Sequence, residues 1–131
     1  KLVLKGVASE ADAEAAVRLG FDGMILSNHG GRQLDAGPST ISTLQDFGAK
    51  YKDRIKVMMD SGIRSGVDVA RALTSGAEFT FMGRSFMYGV AALGKEGGNH
   101  TISILKRQLQ QVMEQTSTES TDAFTKSLYK R

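Results

Sequence analysis

Two stretches of the sequence repeat each other at a distance of 56 residues, and this repeat limits the folds that the chain can adopt. In each copy an apolar run is followed by a glycine, a serine that can cap a helix, an acidic residue three positions later and a closing glycine. Each copy therefore predicts a strand, a turn and a capped helix, followed by another strand. The matched pairs are Gly6 and Gly62, Val7 and Ile63, Ser9 and Ser65, Asp12 and Asp68, Ala16 and Ala72, and Gly20 and Gly76.

Apolar runs and helical patterns alternate along the whole chain. Continuously apolar strands that alternate with helices are typical of a parallel sheet covered by helices. Four such strand–helix units are half of an eightfold barrel, so the sequence predicts an α/β fold, half of a TIM (β/α)8 barrel. A doubly wound open sheet is the alternative. The predicted strands are residues 2–4, 21–27, 55–59 and 78–82, and the predicted helices are about 9–19, 38–50, 65–75 and 101–115.

Length and composition are those of one ordinary globular domain, with 131 residues of which 40% are hydrophobic and 24% charged. We assign residues 1–115 to the barrel and 116–131 to a polar C-terminal tail, in which the stretch TSTEST, residues 116–121, is expected to be loose. The chain opens inside a strand-like run without Met, and we expect it to be a segment of a longer protein. The net charge of +3 comes from scattered basic residues, so no nucleic-acid partner is expected. No cysteine is present, which excludes thiolate metal sites and fits a cytoplasmic protein.

Conspicuous polar residues follow the carboxyl ends of all four predicted strands. Because loops and helix N-termini converge at that edge of a parallel sheet, we expect one shared ligand site there. A neutral His29 imidazole can accept a proton near neutral pH. The Arg32 guanidinium can hold a carboxylate through two hydrogen bonds. This pair suits proton abstraction from a carboxylate-bearing substrate, although each residue taken singly also fits a solvated surface role. The residues at these ends are Lys5; His29 and Arg32; Asp60 and Arg64; and Arg84.

The third and fourth strand ends, DSGIRSG and MGRSF, combine glycine N–H groups with arginines ahead of a helix. This combination is typical of anion binding, and it makes Gly62, Arg64, Gly83 and Arg84 the candidate anion ligands. Barrels commonly bind phosphate after strands seven and eight. The chain is therefore predicted to be the C-terminal half of the barrel, units 5–8. It contains neither a G-x-G-x-x-G nor a P-loop motif.

The segments LKG, DGMILSNHGGRQLD, DSGIRSGVDVARAL and GAEFTFMGRSF resemble the FMN-dependent α-hydroxy-acid dehydrogenases and oxidases. That family includes L-lactate dehydrogenases, glycolate oxidase and mandelate dehydrogenase, and the resemblance covers residues 1 to about 113. It implies a flavoprotein oxidoreductase that uses FMN to convert a lactate-like L-2-hydroxy acid into the 2-oxo acid. This segment is expected to be inactive by itself, because the family also uses tyrosines and a histidine-orienting aspartate on earlier strands.

The resemblance also implies a role for each candidate residue. His29 corresponds to the base that takes a proton from the substrate, and Arg32 to the carboxylate clamp. Lys5 corresponds to the lysine beside flavin N1 and O2, and Asp60 to the ligand of a ribityl hydroxyl. Ser61 departs from the glycine of many oxidases and is more similar to bacterial dehydrogenases. The phosphate cradle corresponds to Gly62, Arg64, Gly83 and Arg84.

The expected partners are a small 2-hydroxy acid, the missing N-terminal half of the barrel and further copies in a homo-oligomer, because a half-barrel exposes sheet edges. The protein is expected in the cytoplasm, and any attachment to the inner membrane would use residues outside this chain. No metal site is expected. Two alternatives are a non-catalytic FMN- or phosphate-binding half-barrel and an inosine-monophosphate-dehydrogenase-like barrel. The presence of both His29 and Arg32 argues against the first, and the lack of a cysteine against the second.

Overall fold

The computed structural model describes residues 1–124, and within them four strands form one parallel sheet. Each strand pairs with the next one along the chain, in the order β1-β2-β3-β4. A doubly wound sheet reverses its strand order at a switch point, so this order excludes that alternative for the described residues. The sheet is instead part of an α/β barrel, as predicted. The strands are β1 (Val3–Val7), β2 (Gly23–Leu26), β3 (Lys56–Met59) and β4 (Phe79–Thr80).

Helices connect and cover these strands. In the described part of the chain they are α1 (Glu10–Arg18), α2 (Thr40–Asp46), α3 (Gly66–Thr74), α4 (Arg84–Leu93) and α5 (Gly97–Gln115). The core lies between the sheet and the first three helices, where Met24, Leu26 and Val57 are fully buried. Ala16 of α1 and Ala72 of α3 face this core, and their small side chains allow the helices to lie close to the sheet. No helix within residues 1–124 is both long and apolar enough to cross a membrane.

The two copies of the repeat adopt the same backbone geometry. Ser9 and Ser65 are the N-caps of α1 and α3, and each hydroxyl accepts a hydrogen bond from the N–H three residues later. A complete capping box forms at Ser65 and Asp68. After the helices, Gly20 and Gly76 have φ values of +77° and +109°, which turn the chain towards the next strand.

The boundaries of β1 differ from the prediction for a local reason. The strand was predicted to end at Leu4, yet it continues to Val7, so Lys5 lies inside the strand rather than after it. Gly6 has a φ of +95°, and the pairing with β2 shifts between Lys5 and Val7. Such a bulge turns a side chain and lets pairing resume beyond it. Lys5 is the last residue of β1 that pairs in register before this bulge.

The region that follows β4 differs from the prediction. One helix was predicted there, residues 101–115, whereas the structure contains α4 at Arg84–Leu93 and an α5 that begins at Gly97. The stretch 116–121 was predicted to be loose, and residues 116–120 lie in no helix or strand. Beyond them, Thr121–Ala123 forms a 3₁₀ turn and Phe124 is buried. The rest of the predicted tail, residues 125–131, lies outside the described residues.

Candidate active site

A cavity of about 510 Å³ opens at the carboxyl end of the sheet. Its volume is typical of sites for small molecules and cofactors, about 300–1,000 Å³. Phe81, Met82 and Met87 add an apolar wall. The structure brings together in this one cavity every residue that the sequence singled out as a site candidate: Lys5, His29, Arg32, Asp60, Gly62, Arg64, Gly83 and Arg84.

A polar network centred on Asp60 joins the ends of the first three strands. The Lys5 Nζ atom lies 2.9 Å from Asp60 Oδ2 and donates a hydrogen bond to Ser27 Oγ at 3.0 Å. Ser27 follows β2 and is only 3% exposed. Its Oγ also accepts a hydrogen bond from the backbone N–H of His29 at 3.1 Å. One buried hydroxyl therefore holds both the Lys5 ammonium and the backbone of His29, and the ammonium in turn contacts Asp60.

The electrostatics of this network favour an ionised Asp60. Burial raises the pKa of its carboxyl group, but hydrogen bonds from Ser27, Ser61 and Lys5 together with the Lys5 charge outweigh burial. The net result is a pKa below the ordinary aspartate value.

We expect Asp60 to make stability depend on pH in the acid range. The pKa of an aspartate in the unfolded chain is about 3.9, and the pKa of Asp60 in the folded chain is lower. Ionised Asp60 therefore stabilises the fold at pH values above the unfolded-state pKa. This contribution is lost as the pH falls through the folded-state pKa. Asp60→Asn should lower the free energy of unfolding at pH 7. In this variant the free energy of unfolding should also fall less than in the wild type as the pH is lowered from about 5 to about 2. Urea unfolding at several pH values measures both effects.

Asp46→Asn is the matched control, since Asp46 is exposed at the end of α2 and outside the cavity. The free energy of unfolding of this control should depend on pH as it does in the wild-type chain. An Asp60→Asn variant with the wild-type acid dependence would contradict the expectation.

The loop that carries His29 and Arg32 is a compact turn. His29–Gly31 form a 3₁₀ turn, and Asn28 Oδ1 accepts hydrogen bonds from the N–H groups of Gly30 at 3.0 Å and Gly31 at 3.2 Å. His29 has a φ of +55°, a conformation that is uncommon outside glycine. A Cβ atom on Gly6 would lie 3.1 Å from His29 Cε1. The glycine of the β1 bulge thus leaves the room that the imidazole occupies.

Arg84 connects this loop to the end of β4. Its Nη2 atom donates a hydrogen bond to the carbonyl oxygen of Gly30 at 3.0 Å. A Cβ atom on Gly30 would lie 2.8 Å from the same nitrogen, so a larger residue there would displace the Arg84 guanidinium. Arg64 is placed differently: its backbone N–H donates to Asp68 Oδ2 at 3.1 Å, while the residue itself is exposed and lines the cavity.

Sequence reasoning missed three small polar residues of the site. Ser27, Asn28 and Ser61 were given no structural role, although each makes a hydrogen bond that fixes a cavity loop. The available signal was their position, since they stand directly after buried strands and next to glycine-containing turns. Serine and asparagine at such positions commonly bond to nearby backbone groups.

Comparison with known proteins gives consistent matches over almost the whole chain. The family described as FMN-dependent dehydrogenase matches residues 1–131. An L-lactate dehydrogenase from Alcaligenes faecalis is 40% identical over 130 residues, which are 99% of this chain and 34% of that protein. The chain spans about a third of the length of the curated relatives it matches.

Solved structures of flavoenzymes are similar to the same residues. A soluble mutant of the membrane-associated (S)-mandelate dehydrogenase from Pseudomonas putida has a TM-score of 0.89 at 38% identity, covering 95% of this chain and 35% of that one. A mandelate oxidase mutant with the monooxide FMN adduct has a TM-score of 0.87 at 38% identity, covering 93% of this chain and 39% of that one.

Proposed function

This chain belongs to the family of FMN-dependent dehydrogenases, and from that premise we propose that it supplies part of the active site of a 2-hydroxy-acid oxidoreductase. The reaction is the oxidation of a lactate-like L-2-hydroxy acid to the 2-oxo acid with FMN as cofactor. The observation that carries the proposal is the cavity itself, because one cleft contains the candidate base, the candidate carboxylate clamp and the candidate cofactor ligands. The L-lactate dehydrogenase relatives support the substrate class.

The residues of the cavity fit FMN. In a flavin, N1 and O2 lie close to the nitrogen that bears the ribityl chain, so ligands for the ring edge and for the ribityl hydroxyls have to be neighbours. Lys5 and Asp60 meet this requirement at 2.9 Å. A Cβ atom on Gly62 or Gly83 would have no neighbour within 4 Å, which leaves space for a phosphate group beside their backbones. When bound, FMN supplies the acceptor for the two electrons of the oxidation.

The protein side chains divide the remaining work. His29 accepts the substrate proton, and Arg32 holds the substrate carboxylate so that the reacting carbon faces the base. With FMN bound, the Lys5 ammonium would favour negative charge on the ring. The guanidinium groups of Arg64 and Arg84 would hold the phosphate, together with the first N–H groups of α4, which have no partner within the helix.

Flavin binding tests this proposal through the phosphate group. In the protein that contains this chain, Arg64→Ala should weaken FMN binding by about 10- to 100-fold, the worth of a charged hydrogen bond, and change riboflavin binding little. Quenching of flavin fluorescence measures both affinities. Arg18→Ala is the matched control, because Arg18 is exposed at the end of α1.

Reduction of the bound flavin by substrate distinguishes an oxidoreductase from a non-catalytic binding module. L-Lactate should bleach the absorbance of the bound flavin. FMN binding that dithionite can reduce but no 2-hydroxy acid can reduce would favour a non-catalytic binding module. Failure to bind FMN would overturn the proposed oxidoreductase and the FMN-binding module alike.

The edges of the sheet support a proposal about partners. Phe79 of β4 is 57% exposed, and its ring packs edge-to-face on Phe81 with centroids 5.1 Å apart. Val3 is exposed on β1, the opposite edge strand. Exposed apolar edge strands pair readily with other strands. We therefore expect these edges to pair with further strand–helix units, and this chain alone to self-associate. A compact monomer at high concentration in sedimentation would contradict this.

A further inference from the structure

We propose that Ser61 is a positioning residue that ties the loop carrying His29 and Arg32 to Asp60. Ser61 would thereby set the distance between the proton-accepting and carboxylate-binding groups on one side and the cofactor ligands on the other. The functional part of this inference rests on the proposed function, whereas the tether itself rests on the geometry alone.

The Ser61 hydroxyl bridges two loops that are 31 residues apart in the sequence. It donates a hydrogen bond to Asp60 Oδ1 at 2.7 Å and accepts one from the Gly30 N–H at 3.1 Å. Because Lys5 contacts the other oxygen of Asp60, both carboxylate oxygens are engaged. One small hydroxyl therefore connects the end of β3 to the middle of the turn after β2.

The backbone conformation at residue 61 favours glycine rather than serine. Its φ is +70°, and Gly62 beside it has a φ of +79°. The left-handed region disfavours every residue with a Cβ relative to glycine. A glycine would thus adopt this turn with less strain. What the serine adds is the hydroxyl, and the hydroxyl is used in both hydrogen bonds.

The hydrogen bonds to the peptide group of Gly30 are of two kinds: one fixes the shape of the turn, and the others fix its position in the cavity. Asn28 belongs to the same turn, so its hydrogen bond to Gly30 fixes only the shape of the turn. Ser61 and Arg84 come from other strand ends and fix where the turn lies in the cavity. Arg84 reaches Gly30 with a long, flexible side chain, whereas the Ser61 Oγ is one bond from Cβ. The serine is therefore the stiffer of the two links.

Two variants separate the hydroxyl from the backbone strain. Ser61→Ala keeps the Cβ and loses the hydroxyl, and Ser61→Gly loses both. In the FMN-loaded protein, hydrogen exchange at the Gly30 amide should become about three- to tenfold faster in both variants, the worth of one hydrogen bond. Ser103→Ala on the exposed face of α5 is the control and should leave this exchange rate unchanged.

Kinetics test the consequence for function. Both variants should lower kcat for flavin reduction by about tenfold at nearly unchanged FMN affinity, since misplacing a catalytic group costs rate more than binding. Wild-type exchange at Gly30 in both variants would overturn the tether. Faster exchange with unchanged kcat per bound flavin would overturn the positioning role. If the wild-type protein reduces no flavin, the proposed function fails, and the exchange result still decides whether the tether exists.

Discussion

Replacing His29 by glutamine is expected to slow substrate oxidation by about 10²- to 10⁴-fold, the usual contribution of a positioned general base. Glutamine is polar and of similar length, but its amide cannot accept the substrate proton near neutral pH. The change should leave the loop in place, because the loop is held through backbone groups. Ser27 binds the N–H of residue 29, and Asn28 binds the N–H groups that follow. The loss should therefore fall on kcat rather than on cofactor affinity.

Stopped-flow reduction of the bound flavin by L-lactate measures this loss, and fluorescence quenching measures FMN affinity. The chain offers a matched control in its other histidine, His100 on the exposed part of α5, since the sequence contains two histidines. His100→Gln should reduce flavin at the wild-type rate. Binding of the 2-oxo acid product should survive in the His29 variant, because Arg32 is untouched. Flavin reduction within a few-fold of wild type in His29→Gln would rule out the assigned role.

The convergence of the candidate residues was predictable because it depends on topology. Parallel strands end at one edge of the sheet, so polar residues that follow different strands meet there whatever lies between them. The apolar runs and the capped repeat were enough to establish that topology. Lys5, His29, Asp60 and Gly83 accordingly line one cavity.

The contacts inside the site were less predictable, because they depend on single backbone angles. The bulge at Gly6 shifts the pairing of β1 with β2 beyond Lys5, and the glycine leaves room for the His29 imidazole. No periodicity in the sequence reports such a shift. The same holds for the left-handed Ser61, whose two hydrogen bonds require that conformation of the loop.

The missed helix α4 has a different cause. Gly89 lies in the middle of α4, and Gly94, Gly97 and Gly98 lie between α4 and the first turn of α5. Glycine lowers intrinsic helix propensity. Tertiary contact requires two of them, Gly89 and Gly97. At the crossing of α4 and α5 the backbones of Gly89 and Gly97 touch, and a Cβ atom on either glycine would collide with the other helix. Packing therefore selected residues that local propensity disfavours.

This crossing leads to the second large expected effect. Gly97→Ala should lower the free energy of unfolding by about 1–3 kcal/mol, the usual cost of overpacking a close contact. The added Cβ would meet the backbone of Gly89 and Val90, which cannot rotate away as a side chain can. The two helices would have to separate. Since α4 begins at Arg84, that separation should also weaken FMN binding through the phosphate.

The neighbouring glycine supplies the sharpest control. Gly98 lies in the same turn of α5, but a Cβ atom there would have no neighbour within 4 Å. Gly98→Ala should therefore raise the free energy of unfolding by about 0.5–1 kcal/mol through the lower entropy of the unfolded chain. Urea unfolding followed by circular dichroism gives both values. Two adjacent substitutions of the same kind should thus act with opposite signs, and equal effects at both positions would show that helix propensity, rather than the contact between α4 and α5, decides the stability of this region.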